Sequence, residues 1–153
     1  MNRLFALLFL LPALFLAYDV SAKNATAEDA TAMVEKGIKL IKAKGQSAAF
    51  AAFNDKNNTE FHQGELYLFV YDSNGTCLSH GNNPKQIGKN GINSMDPNGK
   101  YFVKEIIATV KTKGKGWVDY FFKNPVSRKI EPMSTYVAKV DGQDVIVCCG
   151  IFK

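Results

Sequence analysis

The chain has 153 residues, with 19 Lys or Arg against 14 Asp or Glu and a formal net charge of +5 at pH 7. A chain of this length forms one ordinary domain and can bury most of its apolar side chains. Its lysines are scattered rather than gathered in a basic helix or a basic-aromatic repeat. The composition therefore gives no support to nucleic-acid binding.

The first residues have the pattern of a secretory signal peptide. Asn2-Arg3 gives a charged start, an apolar run extends from Leu4 to Ala17, and small residues follow at Val20-Ser21-Ala22. The apolar run, about fourteen residues, is shorter than the roughly twenty that a membrane-spanning helix needs. We predict cleavage after Ala22, which makes residues 1–22 a signal peptide and residues 23–153 a periplasmic or secreted domain. A retained membrane anchor or a buried helix is the alternative.

The exported part begins with the pattern of a helix N-terminus. Thr26 and Asp29 have the spacing of a capping box, in which the hydroxyl accepts a backbone N–H and the acid lies in the electropositive first turn. Apolar residues then recur at helical spacing until Gly45, which predicts the end of the helix. A shorter helix is predicted after Ser47, and residues 54–64 are polar and turn-rich. The apolar face of the first helix consists of Ala30, Met33, Val34, Ile38 and Ile41.

From Glu65 the apolar pattern changes to that of strands. Leu66 to Tyr71 is dense in aromatic and branched residues, Ser73-Asn74-Gly75 is a tight-turn signal, and Thr76 to His80 returns, which predicts a β-hairpin. Gly81 to Lys100 is a long segment rich in Asn, Gly and Pro, and loops of this length in compact domains are usually functional or disordered.

One more helix and three strands complete the chain, and together they indicate an α+β domain with an antiparallel sheet. The helix is predicted from Tyr101 to Lys113. The strands are predicted at Gly116 to Phe122, Thr135 to Asp141 and Asp144 to Phe152.

Three cysteines lie in these strands, and an odd number leaves one thiol free or paired between chains. Cys148 and Cys149 are adjacent, so in a strand they point to opposite faces and rarely bond to each other. A disulfide between Cys77 and one of these two cysteines remains an alternative. The preferred interpretation is that all three are small buried hydrophobic residues.

The order and spacing of short motifs between Glu65 and Lys153 resemble a single Cache domain, the extracytoplasmic sensor domain of bacterial chemoreceptors and histidine kinases. No single motif is specific, and the long amphipathic N-terminal helix also fits this family. The motifs are Tyr67 to Asp72 with Gly75, Leu78-Ser79-His80 with Asn83-Pro84, Ile87-Gly88-Lys89, Asp96 to Phe102, Gly114 to Tyr120, Ser134 to Val137, and Gly150-Ile151-Phe152.

The resemblance implies a long N-terminal helix packed on a five-stranded antiparallel PAS-like sheet, with a small-molecule pocket enclosed by the sheet and the long loop. Members of the family sense small organic molecules, often short carboxylates, and pass binding to a membrane-spanning helix. This chain ends at Lys153 without a second apolar span or a signalling module. We therefore expect a ligand-binding domain for signal transduction or chemotaxis that acts through a partner such as a membrane receptor or a kinase. Two alternatives remain: the domain forms a homodimer through its N-terminal helix, or it is attached to the membrane by an uncleaved signal peptide.

Candidate ligand contacts are aromatic or polar residues of the strands and the loop. Aromatic rings give a pocket a large rigid wall, and a tyrosine hydroxyl can orient a polar ligand. The near-neutral pKa of His80 suits bonding to an anion or sensing pH. Ordinary core packing, or a structural role for the histidine, is the alternative in each case. The candidates are Tyr67, Phe69, His80, Met95, Trp117, Tyr120 and Tyr136.

Two positions bear on which ligand this pocket would take. Trp117 and Tyr120 lie on opposite faces of their strand, so only one of them is expected to touch the ligand. Family members often carry a lysine three residues before the strand tyrosine, where this chain has Met133. The candidate anion partners that remain are Lys104, Arg128 and Lys129.

Other functional classes find little support in the sequence. Gly-rich phosphate loops and metal-ligand spacings are absent from it, and His62 and His80 lie far apart without an acidic cluster, so we predict neither a cofactor nor a metal. Cys77 and His80 form the only tempting nucleophile and base. Residues three apart on a strand point to opposite faces and would not meet without a bulge, so no enzyme is predicted. The second candidate function is a thiol-linked, redox or protein-interaction module of the cell envelope, based on Cys148-Cys149.

Overall fold

The computed structural model describes residues 25–153. The predicted signal peptide, residues 1–22, lies outside this range. Within the described range, no helix combines the length and the apolar character that crossing a bilayer demands.

The N-terminal helix α1 spans Ala27–Asn54 and is kinked at Gly45. The predicted capping box is confirmed, because Thr26 Oγ1 accepts the Asp29 N–H and the Asp29 carboxylate accepts the Thr26 N–H. Gly45 has φ +80°, a conformation that glycine adopts without steric cost, and the predicted end of the first helical segment is confirmed there. After the kink the second segment returns against the first, since a Cβ atom at Gly37 would lie 3.2 Å from Phe53 Cζ.

The sheet is antiparallel throughout and has the order β1-β2-β6-β5-β4, with β3 also paired to β2. The predicted α+β class is confirmed, and the described residues contain six strands where five were expected. The added strand is the two-residue β1, in a segment predicted to be a loop. The strands are β1 His62–Gln63, β2 Leu66–Tyr71, β3 Cys77–His80, β4 Lys115–Lys123, β5 Ile130–Lys139 and β6 Ile146–Phe152.

The strands β4 and β5 form a longer hairpin than the sequence predicts. Pairing runs from Lys115↔Ala138 to Lys123↔Ile130, so β5 begins at Ile130 rather than at the predicted Thr135. Helix α2 spans Phe102–Lys113, one residue shorter than predicted at its start, and Gly114 follows it at φ +75°. The segment between β3 and α2 contains a short 3-10 turn at Pro84–Gln86 and an isolated β-bridge from Asn90 to Thr76.

The sheet separates two apolar cores, and β2 contributes to both. Leu66, Leu68 and Val70 pack on the α1 side. Tyr67, Phe69 and Tyr71 pack on the other side, with α2. Successive side chains of β2 thus alternate between the two cores, and the strand is buried on both faces.

The three cysteines are free thiols buried in these cores. Cys148 belongs to the core on the α2 side and Cys149 to the core on the α1 side, as adjacent residues of one strand must. The preferred interpretation of small buried hydrophobic residues is confirmed, and no disulfide joins them.

Gly150 makes room for the Met133 side chain at the centre of the sheet. A Cβ atom on Gly150 would lie 1.9 Å from Met133 Cε and 2.9 Å from Thr135 Oγ1. Met133 is 2% exposed, so its side chain cannot move out into solvent without leaving the core. The glycine is therefore required by packing rather than by backbone conformation.

We expect Gly150→Ala to destabilise the fold by about 1–3 kcal/mol, because the added methyl group overpacks a filled core. Chemical denaturation of the purified protein measures the change. In a Met133→Ala background, where the Met133 atom at 1.9 Å is gone and only Thr135 Oγ1 stays close, the same substitution should cost less. Equal costs in both backgrounds would contradict the packing explanation.

We expect the three thiols to react slowly with a thiol reagent in the native protein and completely in denaturant. Burial raises the pKa of Cys77 to about 11 and of Cys149 to about 12, and it raises the pKa of Cys148 as well. The thiolate is the reactive form, and it is scarce near neutral pH. Time-resolved thiol counting at pH 8 tests this, and one thiol that reacts rapidly in the native state would contradict it.

Candidate ligand-binding pocket

A pocket of about 270 Å³ lies on the α2 side of the sheet. It is bounded by β2 and β3, by the segment between β3 and α2, and by the start of α2. Pockets for drug-sized ligands measure about 300–1,000 Å³, so this one suits a smaller molecule. Its polar lining consists of His80, Gln86, Lys89, Asn90 and Ser94, and its less polar lining of Tyr71, Cys77, Gly91, Met95, Phe102 and Phe122.

A register shift between β2 and β3 places two polar groups on the same side of the sheet. Cys77 pairs with Tyr71 and His80 pairs with Phe69, although Cys77 and His80 are three residues apart. The extra residue in β3 is a bulge, which reverses the alternation of side chains. The regular alternation expected for Cys77 and His80 is therefore broken by a bulge, and both residues line the pocket.

His80 is held in place by stacking and by hydrogen bonds. Its ring stacks on Tyr67 at 5.3 Å and on Phe69 at 5.7 Å between centroids. Its main-chain N–H donates to Asn54 Oδ1, and its Nδ1 accepts the Asn83 N–H at 3.0 Å. Because Nδ1 is an acceptor, the neutral ring carries its proton on Nε2, which leaves the Nε2–H as the donor for a ligand.

Burial keeps His80 neutral. The side chain is 5% exposed, and the loss of hydration lowers its pKa to about 4. The charged group of the pocket is instead Lys89, which lies on the exposed segment after the 3-10 turn. The pocket thus contains a neutral imidazole and one cation, beside the amide and hydroxyl groups of Gln86, Asn90 and Ser94.

The segment between β3 and α2 is anchored at both ends. Near β3, the Cys77 N–H donates to Lys89 O at 2.9 Å and the Gly88 N–H donates to Cys77 O at 2.8 Å. Near β4, Asp96 Oδ2 accepts the Phe121 N–H at 3.0 Å. The Phe121 N–H, together with the N–H groups of Lys100 and Asn98, holds the pKa of Asp96 below its usual value. The outer wall of the pocket is therefore attached to two strands.

Five of the seven predicted site residues lie at or behind this pocket. His80 and Met95 line it, and Met95 is 56% exposed. Tyr67 and Phe69 form the stack behind His80. Tyr120 is buried one layer deeper, where it stacks on Phe102 at 4.6 Å and accepts a hydrogen bond from Thr135 Oγ1.

Trp117 and Tyr136 lie on the opposite face of the sheet. The two residues are paired across β4 and β5, with ring centroids 5.3 Å apart, and Tyr136 belongs to the core on the α1 side. Alternation along β4 places Trp117 and Tyr120 on different faces, as predicted. The structure does not bring Trp117 or Tyr136 to this pocket.

Lys89, the cation of the pocket, is not one of the residues that the sequence predicts to bind an anion. Lys104 lies 4.0 Å above the Tyr101 ring, and neither Arg128 nor Lys129 lines the pocket. Lys89 does, and it belongs to the Ile87-Gly88-Lys89 motif, which carried the family resemblance without a role for the lysine. The other wall residues that sequence reasoning missed include Gln86, Asn90, Gly91 and Ser94 of the segment between β3 and α2, Phe102 at the start of α2 and Phe122 near the end of β4.

Nucleophilic chemistry does not fit this arrangement. Cys77 Sγ donates to Ser79 O at 3.4 Å, and burial raises its pKa to about 11, so the thiol stays protonated near neutral pH. His80 Nδ1 is occupied by the Asn83 N–H and is not free to act as a base. Among residues 25–153, His, Cys, Asp and Glu side chains form no group of three that could hold a metal ion.

The buried histidine should make stability depend on pH. The folded protein has a His80 pKa of about 4, below the ordinary value of 6.5, so the unfolded chain binds the proton first as pH falls. The stabilisation is therefore present above pH 6.5 and is lost progressively down to pH 4. Between pH 7 and pH 5 the loss is about 2 kcal/mol.

We expect His80→Phe to remove that part of the pH dependence while keeping a ring in the stack. Denaturation of the wild type and of His80→Phe at several pH values between 7 and 5 gives the slope of the free energy of unfolding against pH for each protein. Because only the slopes are compared, a pH-independent cost of leaving the Asn83 N–H unpaired does not affect the result. Parallel slopes for the two proteins would show that His80 titrates normally.

Comparisons with known proteins agree with this architecture. Residues 19–153 match the family described as Single Cache domain 2. A sensor histidine kinase, MctS of Rhizobium johnstonii, is 30% identical over 86 residues, which cover 56% of this chain and 18% of the kinase. The chain thus spans less than a fifth of the length of this curated relative.

Solved structures of chemotaxis and chemosensory proteins share this fold. The periplasmic sensor domain of a chemotaxis protein has 27% identity and a TM-score of 0.64, with 82% of this chain and 88% of that one covered. A methyl-accepting chemotaxis protein from Vibrio parahaemolyticus has 21% identity and a TM-score of 0.71, with 82% and 86% covered. A Cache chemosensory domain described for carboxylic acid recognition has 22% identity and a TM-score of 0.66, also with 82% and 86% covered.

The family match extends over most of the chain, and these solved structures share its fold. The protein therefore belongs to the Single Cache domain 2 family.

Proposed function

We propose that the protein is an extracytoplasmic sensor domain that binds a small organic anion, such as a short carboxylate, in the pocket beside His80. The observation that carries this proposal is the pairing of a neutral imidazole donor with the Lys89 ammonium group in one small pocket. A carboxylate oxygen can accept from both groups, and hydrogen bonds with a charged partner are stronger than neutral ones.

The size and lining of the pocket support a short ligand. Phe102 and Phe122 give an apolar wall opposite the polar groups, and the volume of about 270 Å³ leaves room for few heavy atoms. A carboxylate with a short apolar tail would contact both kinds of wall. The solved Cache domain described for carboxylic acid recognition shares this fold, which adds support by analogy.

Signalling through a partner completes the proposal. The matched kinase and one of the matched chemotaxis proteins are sensors by their descriptions. We propose that this chain reports ligand binding to a membrane receptor or a kinase and catalyses no reaction itself. A thiol-linked role is less well supported, because all three thiols are buried and protonated.

We expect a thermal-shift screen of the purified protein to give a response to short carboxylates and weaker or no responses to amines and purines. A ligand present at about a hundred times its dissociation constant adds about 2.7 kcal/mol of stability, which moves the melting temperature by several degrees. A response confined to amines would contradict the anion assignment.

Two variants locate the ligand. His80→Phe keeps the ring stack and removes the donor, and we expect it to weaken carboxylate binding about tenfold, as the loss of one charge-assisted hydrogen bond does. His62→Phe is the matched control, because His62 also stacks on Tyr67, at 6.3 Å, but does not line the pocket. Equal affinities of the two variants would place the ligand elsewhere.

A further inference from the structure

A second pocket of about 310 Å³ is bounded by the segment after α1, the segment after β3 and the turn between β4 and β5. We call it the basic pocket. The side chains that give it its character are three cations and three amides. They are Lys56, Lys123, Arg128, Asn82, Asn83 and Asn124.

The cations reach the basic pocket from separate parts of the chain. Lys56 follows α1, Lys123 ends β4, and Arg128 lies in the turn. No carboxylate lines the pocket, and within residues 25–153 none of the three cations forms an ion pair. Like charges gathered around one concave surface repel each other, and an anion bound between them would relieve that repulsion.

The turn that carries Arg128 is tightly organised by Asn124. This side chain is 5% exposed, and its Oδ1 accepts the N–H groups of Val126 at 2.8 Å and Ser127 at 3.2 Å. The Arg128 N–H donates to Asn124 O at 3.0 Å. The position of the guanidinium group therefore depends on a built turn rather than on a loose loop.

Arg128 occupies a backbone conformation that favours glycine. Its φ is +65°, and it is the only residue other than glycine with positive φ among residues 25–153. Such a conformation costs free energy for a residue with a Cβ atom, and residues held this way concentrate at functional sites. The backbone conformation of Arg128 therefore costs free energy. Binding of an anion by its guanidinium group would offset that cost.

Two carboxylates near the turn do not compete for the cations of the basic pocket. Glu131 accepts from Asn124 Nδ2 at 2.8 Å and from Ser127 Oγ at 2.7 Å, and Glu65 accepts from Asn124 Nδ2 at 3.3 Å. Neither glutamate lines the pocket. These carboxylates fix the Asn124 side chain by hydrogen bonds, and Asn124 in turn fixes the backbone of Arg128.

We propose that the basic pocket binds a phosphate-class oxyanion, a site separate from the sensing pocket. Arginine presents paired N–H donors that match the oxygens of a phosphate group, and the lysines and asparagine amides add donors around it. The phosphate can come from solution or from a lipid headgroup. Val126 and Ile130, which flank Arg128, are 66% and 60% exposed and could contact a lipid surface beside the headgroup.

The first experiment is a titration of the purified protein with inorganic phosphate at constant ionic strength, followed by amide NMR shifts in the turn. We expect saturable shifts that Arg128→Gly weakens at least tenfold. Glycine is favoured at this φ, so this variant should fold at least as well as the wild type. Lys39→Ala, which removes one exposed charge of α1, is the charge-matched control and should leave the shifts unchanged.

The second experiment separates the two sources of the phosphate group. The protein is sedimented with vesicles of phosphatidylglycerol or of phosphatidylcholine. Binding of inorganic phosphate alone would identify a soluble ligand, whereas binding to phosphatidylglycerol vesicles alone, lost in Arg128→Gly, would identify a lipid headgroup. Equal responses of wild type and Arg128→Gly, or no saturable response to either source, would overturn the proposal.

Discussion

The alternation of side chains along β2 is the constraint on which both the fold and the pocket depend. Leu66, Leu68 and Val70 close the core on the α1 side, whereas Tyr67, Phe69 and Tyr71 form the aromatic wall on the other side. A shift of the strand by one residue would exchange these two sets. The register is fixed because β2 pairs with both β3 and β6, and the aromatic wall then determines where His80 stacks.

The neutrality of His80 follows from that stack. A ring that stacks on both Tyr67 and Phe69 has lost its hydration, and the Asn83 N–H occupies the nitrogen that would otherwise take up a proton. In the proposed binding site, two tasks that one protonated histidine would combine are therefore separated. His80 supplies a donor of fixed direction, and Lys89, on the exposed segment, supplies the charge.

Local signals in the sequence predicted local structure well. The capping box at Thr26, the break at Gly45, the β2–β3 hairpin and the α2 helix depend on residues close together in the chain, and each was found near its predicted place. The bulge in β3 was missed because it depends on how two strands pair. The same holds for Trp117 and Tyr136: alternation put Trp117 and Tyr120 on different faces, but only the packing of α1 and α2 determines which face carries the pocket.

The anchoring of the segment between β3 and α2 bears on how a ligand enters the pocket. Main-chain hydrogen bonds attach this segment to β3, and Asp96 attaches it to β4, so lifting the whole segment would break several bonds at once. The less constrained groups lie along the segment itself, where Met95 is 56% exposed and Lys89 is exposed as well. Movement of such side chains costs far less than detachment of the segment. A ligand that draws Lys89 inward would change the outer surface of the domain without unfolding its wall, and a partner protein could read that change.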